Sequence, residues 1–462
     1  MDKGCPSEII FYMGLTILWL AAHVDLTLAW SSKGMKQVII AVGLGLVVGT
    51  NVVASDARVE SWYTKDSDKF ARLYRNTADQ RVGTAVTTWN HGPGVQSTPV
   101  LAGVHDVSYS QDWIYIHTSG LASYVMGPWY NDVAKTRMFP SYPADTKTTY
   151  RIPRTPIVST NKSLTGLGPI GYFVNGVALF DNRDAFSWNG RADGHGEGIW
   201  NRDAYVNEGI TFDSGMAHQA RIEYHYHANP IALRYQLDDH VNFDAKNNRY
   251  HESSTAPIRH SPILAWARDG LPIYGPFGYS EPLNSKSALR PMVSGYVIRD
   301  GRNGTKNLAL TGRTSLPKWA ERAYHMAGPL RTSEFGPNVT ASAAFGRYIE
   351  DNDYLGDLGK KQGVDFDLDE YNARYCVTPE FPDGTWAYFV AIDRDGNPAF
   401  PYNIGHSFIG TPKGGQVRSV DEAVTTAFSV GNRSHASAQS TENDTVSLVW
   451  NASDGGAYRV NP

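Results

Sequence analysis

Aromatic and imidazole side chains alternate along residues 222–230, which read Ile-Glu-Tyr-His-Tyr-His-Ala-Asn-Pro. Tyrosine favours strands, and the side chains of a strand point alternately to its two faces. The alternation therefore predicts a strand with Tyr224 and Tyr226 on one face and His225 and His227 on the other. Two imidazoles about 7 Å apart on one strand face form a natural pair of metal ligands. The pattern also fits two solvated surface histidines, or a buried network of hydroxyl and imidazole hydrogen bonds.

A metal site needs at least one further ligand, and three residues are candidates. His218 lies shortly before His225, in a turn-like stretch that can fold back onto the strand. His260 opens a later apolar segment, and Asp269 ends that segment at an Asp-Gly turn, where a carboxylate can bind a metal or orient an imidazole. Three histidines with an open position favour Cu or Zn, whereas a carboxylate in the set favours Fe or Mn. The predicted set is His225 and His227 first, then His218 and His260, then Asp269.

The acidic segment of residues 351–370 is a second candidate cation site. Its carboxylates stand at Asp351, Asp353, Asp357, Asp365, Asp367, Asp369 and Glu370. Clustered carboxylates and carbonyls suit Ca²⁺, although the spacing is not that of an EF-hand loop. A solvated acidic face is the alternative interpretation.

Several blocks of the chain resemble the YHYH domain family, whose name is the Tyr224–His227 motif itself. The further blocks are Gly171–Phe180, His260–Tyr279, Asp369–Phe389 and Phe400–Gly405. The resemblance covers about residues 60–412 and implies an extracytoplasmic bacterial protein, with no established activity to carry over. Many members have a Cys soon after the motif, but here Ala228 to Leu233 contain none.

Composition favours a mainly β fold. The chain of 462 residues has 26 Tyr, 17 Phe and 12 Trp together with 44 Gly and 25 Pro, a mixture typical of short strands joined by many turns. We expect one large, loop-rich domain (β-rich α+β) with few short helices, one of them over residues 317–325. The net charge of −4 with interspersed acids and bases argues against a nucleic-acid partner. The chain lacks a P-loop and a Rossmann fingerprint, so no nucleotide cofactor is expected.

The N-terminal region predicts export. Residues 35–57 combine a short basic start, an apolar stretch of about a dozen residues and small residues at plausible cleavage positions. Residues 1–34 then read as an over-extended start, and membrane anchoring is the less favoured alternative because the apolar stretch is too short for a comfortable span. Beyond residue 57 the chain has a single cysteine, Cys376, predicted to be a buried thiol.

Four segments follow from these patterns: a leader over residues 1–57, the YHYH-type domain over 58–412, a polar linker over 413–442, and an incomplete, β-sandwich-like hairpin over 443–462. Within the domain, the Pro-rich residues 131–165 are predicted to form a surface connection.

The predicted function is an extracytoplasmic metal-binding protein with a His-x-His strand site. If the protein is a metalloenzyme, an open coordination position on the metal would activate water or a small oxidant. The alternative is a non-catalytic surface or adhesion module that binds a glycan, another small molecule or a protein. In that case Trp129, Trp188, Trp200 and Trp266 are candidate stacking platforms, although buried core tryptophans are the favoured interpretation, and the Tyr-His-Tyr-His strand is structural.

Overall fold

An eight-stranded mixed sheet forms the centre of the protein. A computed structural model describes residues 56–326 and 328–430. In spatial order the strands of this central sheet are Ala217–Ala220, Glu223–Tyr226, Ala178–Phe180, Pro169–Phe173, Ile263–Ala267, Pro272–Tyr274, Thr385–Phe389 and Ala373–Cys376. Glu223–Tyr226 runs parallel to Ala178–Phe180, as does Pro272–Tyr274 to Thr385–Phe389, and the other neighbours are antiparallel. All five residues of Ile263–Ala267 are buried, because the middle of this sheet is covered on both faces.

A second sheet of five antiparallel strands lies beside the first. Its order is Gly415–Val417, Thr148–Pro153, Trp113–Thr118, Val104–Tyr109 and Thr425–Ser429. The Tyr150 and Tyr172 rings, one from each sheet, pack with their centroids 4.3 Å apart. Apolar residues of both sheets belong to one continuous hydrophobic core.

This second sheet changes two of the predictions. The surface connection predicted over residues 131–165 is wrong at Thr148–Pro153, which pairs with strands on both sides. Its alternate residues are buried, and its one proline stands at the last position, where a missing N–H is tolerated. The linker predicted over residues 413–442 is likewise wrong where it is described, because Gly415–Val417 and Thr425–Ser429 form the two outer strands.

Short ribbons and helices fill the loops between these sheets. The remaining strands are Arg72–Leu73 with Val125–Met126, Trp89–His91 with Gly94–Gln96, Val241–Asp244 with Arg249–Glu252, Phe277–Tyr279 with Leu289–Pro291, Tyr296–Ile298 with Asn352–Tyr354, and the trio Asp193–His195, Arg183–Trp188 and Asn201–Asp203. The α-helices are Ala57–Glu60, Thr77–Val82, Ala204–Glu208, Ile231–Gln236, Leu308–Thr311 and Lys318–Ala323. Short 3₁₀ turns occupy Gly209–Thr211, Thr332–Glu334, Ile349–Asp351 and Leu355–Leu358.

The predicted mainly β fold with few short helices is confirmed. The helix expected near Pro317 is Lys318–Ala323. Cys376 is buried and free, as expected. The predicted leader, apart from Asp56 and Ala57, and the predicted hairpin over 443–462 lie outside the described residues. Over residues 56–326 and 328–430, no helix is both long enough and apolar enough to cross a bilayer.

Candidate metal centre

A tight hairpin at the edge of the central sheet builds the site. Ala217–Ala220 and Glu223–Tyr226 pair antiparallel with His218 directly opposite His225. The two-residue turn between them places Arg221 at a positive φ of 58°. The chain therefore folds back within a few residues, and this brings a third imidazole to the face that carries His225.

The two faces of the motif strand have different roles. Tyr224 and Tyr226 are buried in the core, and both hydroxyls hydrogen-bond to the Tyr124 hydroxyl, at 2.9 and 2.6 Å. Tyr224 also donates to Asp213 Oδ2 at 2.7 Å. This buried phenol network fixes the register of the strand and holds the histidines on its other face.

His218, His225 and His227 form a compact group, hereafter the histidine trio. One potential ligand atom from each lies within 4.8 Å of the others, and all three residues are buried. The Nε2 atoms of His225 and His227 are 3.0 Å apart. His225 stacks on the Phe180 ring with the centroids 3.8 Å apart, which fixes the plane of its imidazole.

The hydrogen bonds of the trio determine where its protons lie. Nδ1 of His225 is 2.8 Å from the Glu223 carbonyl, and Nδ1 of His227 is 2.6 Å from the Asp181 carbonyl. A carbonyl only accepts, so both Nδ1 atoms carry a proton and both neutral rings present an Nε2 lone pair to each other. Two lone pairs 3.0 Å apart repel unless a proton or a metal cation lies between them.

His218 is held in the same tautomer by Thr211. The Thr211 hydroxyl donates to the Glu208 carbonyl at 2.7 Å and lies 2.7 Å from His218 Nδ1. Its single proton is used on the carbonyl, so the hydroxyl oxygen accepts from His218 Nδ1. The buried Nε2 of His218 has no hydrogen-bond partner among the described residues. Three Nε2 lone pairs thus converge, and each ring is oriented by a hydrogen bond from its Nδ1 atom, as in metal-binding histidines.

The electrostatics of the trio favour a single shared cation. Burial lowers the pKa of His218 well below its usual value, and the neighbouring imidazoles lower it further. Burial and His227 do the same for His225. Burial also acts to lower the pKa of His227, but the hydrogen bond and negative charge of Glu208 outweigh it, and the pKa is raised. The three imidazoles therefore cannot all be positively charged at once, and a divalent cation would satisfy all three lone pairs together.

Glu208 is a functional candidate that sequence reasoning missed. It ends the helix Ala204–Glu208, which is capped by Asp203, and its Oε2 lies 3.2 Å from His227 Nε2 and 3.6 Å from His218 Nε2. Its side chain is 26% exposed, against 4% for that of His227. A pocket of about 400 Å³ opens over the trio and is lined in part by Glu208, Phe139 and Phe180.

His260 and Asp269 do not join the trio. His260 packs against Tyr274 and Tyr279, and its Nδ1 is 2.7 Å from the Ser261 carbonyl. Asp269 accepts from the Tyr388 hydroxyl at 2.7 Å and from two backbone amides, Gly410 N at 2.9 Å and Leu271 N at 3.1 Å. Both residues belong to the family blocks but stabilise the packing of the central sheet.

The acidic segment is organised by ion pairs. Arginines pair with five of its carboxylates: Asp351 with Arg313, Asp353 with Arg299, Asp357 and Glu370 with Arg322, and Asp367 with Arg290. Asp365 lies near Lys360, and Asp369 is bonded to the backbone of Tyr371 and Ala373. Across the described ranges, the histidine trio is the one group of three or more His, Cys, Asp or Glu side chains whose ligand atoms lie close enough to hold a metal ion. The acidic segment contains no such group that would match the Ca²⁺ prediction.

The candidate stacking tryptophans are mostly core residues. Trp129, Trp200 and Trp266 are fully buried, and Trp188 packs at the edge of the hydrophobic cluster around Trp200. Buried rings cannot stack on an external sugar, which excludes Trp129, Trp200 and Trp266 and leaves only the partly buried Trp188, so the four residues do not form a shared platform.

The fold is β-rich, and a buried hairpin at the edge of the central sheet carries His218 and His225, with His227 directly after it. A family model described as "YHYH protein" matches residues 149–399, more than half of the chain. The chain belongs to the YHYH family. No curated protein and no solved structure matches it.

Proposed function

We propose that this protein is an extracytoplasmic metal-binding protein that holds one Cu or Zn ion on His218, His225 and His227. The observation that carries the proposal is the convergence of three Nε2 lone pairs whose rings are all fixed by Nδ1 hydrogen bonds. The lone pairs repel unless a proton or a metal cation lies between them, and uncharged imidazoles are ligands that suit Zn and Cu.

The spacing of the ligand atoms supports the same function. Zn–N bonds of about 2.0–2.1 Å place tetrahedral ligand atoms roughly 3.3 Å apart. The Nε2 atoms of His225 and His227 are 3.0 Å apart, so a metal requires only a small separation of these two rings, whereas His218, whose ligand atom lies within 4.8 Å of theirs, has to move closer. The side of the trio facing the pocket leaves room for a further ligand.

The extracytoplasmic location is part of the proposal and rests on the leader predicted over residues 35–57. N-terminal sequencing of the protein recovered outside the cytoplasm should find a start just after this leader. A protein that stays in the cytoplasm with the leader intact would contradict this part of the proposal.

Metal content of the purified protein tests the site. We expect close to one Cu or Zn per chain by mass spectrometry, lost in the double variant His225→Ala/His227→Ala. A matched control, His195→Ala/His251→Ala, removes two exposed histidines and should retain the metal. A wild-type protein that contains no metal, and takes up none from Cu, Zn or Mn solutions, would refute the proposal.

A further inference from the structure

Glu208 lies beside the point on which the trio converges, where a carboxylate can serve as a fourth ligand or as the proton acceptor for a metal-bound water. Its Oε2 is within 3.2 Å of His227 Nε2 and 3.6 Å of His218 Nε2, so it adjoins the point on which the trio converges. It is also the most exposed of these four side chains, because it stands between the buried imidazoles and the open pocket.

Among the residues that the structure describes, this carboxylate has no charged partner besides the imidazoles. In the described part of the chain, the ion pairs of Glu208 are with His218 and His227, and none is with an arginine or lysine. Carboxylates that only stabilise a fold are commonly paired, as Asp351 is with Arg313 at 2.6 Å. Glu208 is thus available to act on whatever occupies the open side of the trio.

The pocket indicates the kind of molecule that could reach this point. Its volume of about 400 Å³ suits a small organic molecule. Its walls include the apolar side chains of Phe139, Leu167 and Phe180. Arg183, which also lines it, is neutralised by Asp181 at 3.2 Å and Glu197 at 3.1 Å. Asp184, another lining residue, pairs with Arg202 at 2.7 Å, and the exposed Arg221 lies at the turn of the hairpin. The walls next to the trio itself are therefore apolar or neutralised, and they favour an uncharged ligand with an apolar body.

We propose that the pocket is a hydrolytic active site for small, uncharged esters, with Glu208 as the proton acceptor for a water held by the metal on the trio. This inference rests on the proposed metal function. Glu208 takes one proton from the water, and the resulting hydroxide forms a bond to the ester carbonyl carbon. The C–O bond to the alcohol then breaks, and Glu208 returns the proton to the departing alkoxide. The products are a carboxylic acid and an alcohol, and no oxidant or reductant is required.

The test compares zinc-loaded wild-type protein with Glu208→Gln, using the full chain and the probes 4-nitrophenyl acetate and 4-nitrophenyl butyrate. Glutamine keeps the shape of the side chain but accepts a proton far more weakly. We expect the variant to keep one Zn per chain and to lose about 100-fold or more of the hydrolysis rate, as for removal of a general base. Glu281→Gln, at an exposed glutamate in another part of the fold, should retain both. Circular dichroism checks that each variant is folded.

The outcomes separate this inference from the proposed function. If the wild type binds Zn but hydrolyses neither ester faster than the metal-free protein, the hydrolytic inference is wrong and the metal function stands. Loss of Zn in Glu208→Gln would make Glu208 a ligand, and an unchanged rate would exclude it from the reaction. A wild type that binds no metal would overturn both proposals.

Discussion

The tautomer of His218 depends on a single hydroxyl, and Thr211→Val tests it. Valine has nearly the same shape as threonine but cannot accept the proton of His218 Nδ1, which is 2.7 Å from Thr211 Oγ1. In the metal-bound protein Nε2 of His218 is occupied, so the proton must stay on Nδ1 without a partner. In the metal-free protein the ring can instead move its proton to Nε2, toward Glu208. The penalty therefore falls on the metal-bound form and appears as lost affinity.

Two magnitudes agree on the size of this loss. A buried N–H left without a partner costs about 1–3 kcal/mol. Loss of a group that orients a metal-binding histidine lowers affinity about 10–100-fold, which corresponds to roughly 1.4–2.8 kcal/mol. We therefore expect Thr211→Val to raise the Kd for Zn by about one to two orders of magnitude.

Competition with a chromophoric zinc chelator measures this Kd directly. Thr211→Ser keeps the hydroxyl and should bind Zn nearly as the wild type does, and Thr98→Val, at an exposed threonine, controls for the substitution itself. If Thr211→Val binds Zn as tightly as the wild type while His218→Ala loses it, the assignment of protons in the trio is incorrect.

Three further predictions concern stability, each measured by urea unfolding. Asp269→Asn turns an amide toward the Tyr388 hydroxyl and should lower the free energy of unfolding by about 1–3 kcal/mol without changing the metal content. Loss of metal in this variant would mean that Asp269 contributes to the metal site. Burial raises the pKa of Glu350 to about 7. The folded state thus binds this proton more tightly than the unfolded state, so the free energy of unfolding should fall by up to about 3 kcal/mol as the pH rises from roughly 4.5 to 7. Glu350→Gln should flatten this pH dependence, and a steeper dependence in the variant would contradict the prediction. Arg313→Leu leaves Asp351 buried without its cation and should cost about 3–5 kcal/mol, whereas an unchanged stability would mean that the pair contributes nothing.

The sequence predicted the parts of the site that depend on local periodicity. Alternation alone separated Tyr224 and Tyr226 from His225 and His227, because a strand repeats every two residues. The short spacing between His218 and His225 allowed a hairpin, and the structure contains one. These inferences needed only neighbouring residues, and the sequence carries that information directly.

Long-range contacts were beyond such reasoning. Glu208 ends a five-residue helix, and nothing in its local sequence indicates that the helix directs it onto the trio. Asp181 orients His227 through its backbone carbonyl, a role that any residue type can perform and that leaves no sequence signal. Thr148–Pro153 lies in a Pro-rich segment that resembles a loop, although its own Thr, Tyr and Ile residues favour a strand, and it pairs with a neighbouring strand on each side.

The hairpin that carries His218 and His225 also makes the site intolerant of small insertions. Its turn is only two residues long, and the phenol face of the strand is anchored in the core while the imidazole face forms the trio. One residue added at Arg221 would turn the following side chains to opposite faces, placing phenols over the pocket and imidazoles in the core. Insertion of one residue in this turn should therefore be strongly disfavoured, because core and site would be lost in the same step, whereas insertion of two residues keeps each side chain on its own face and should be tolerated better.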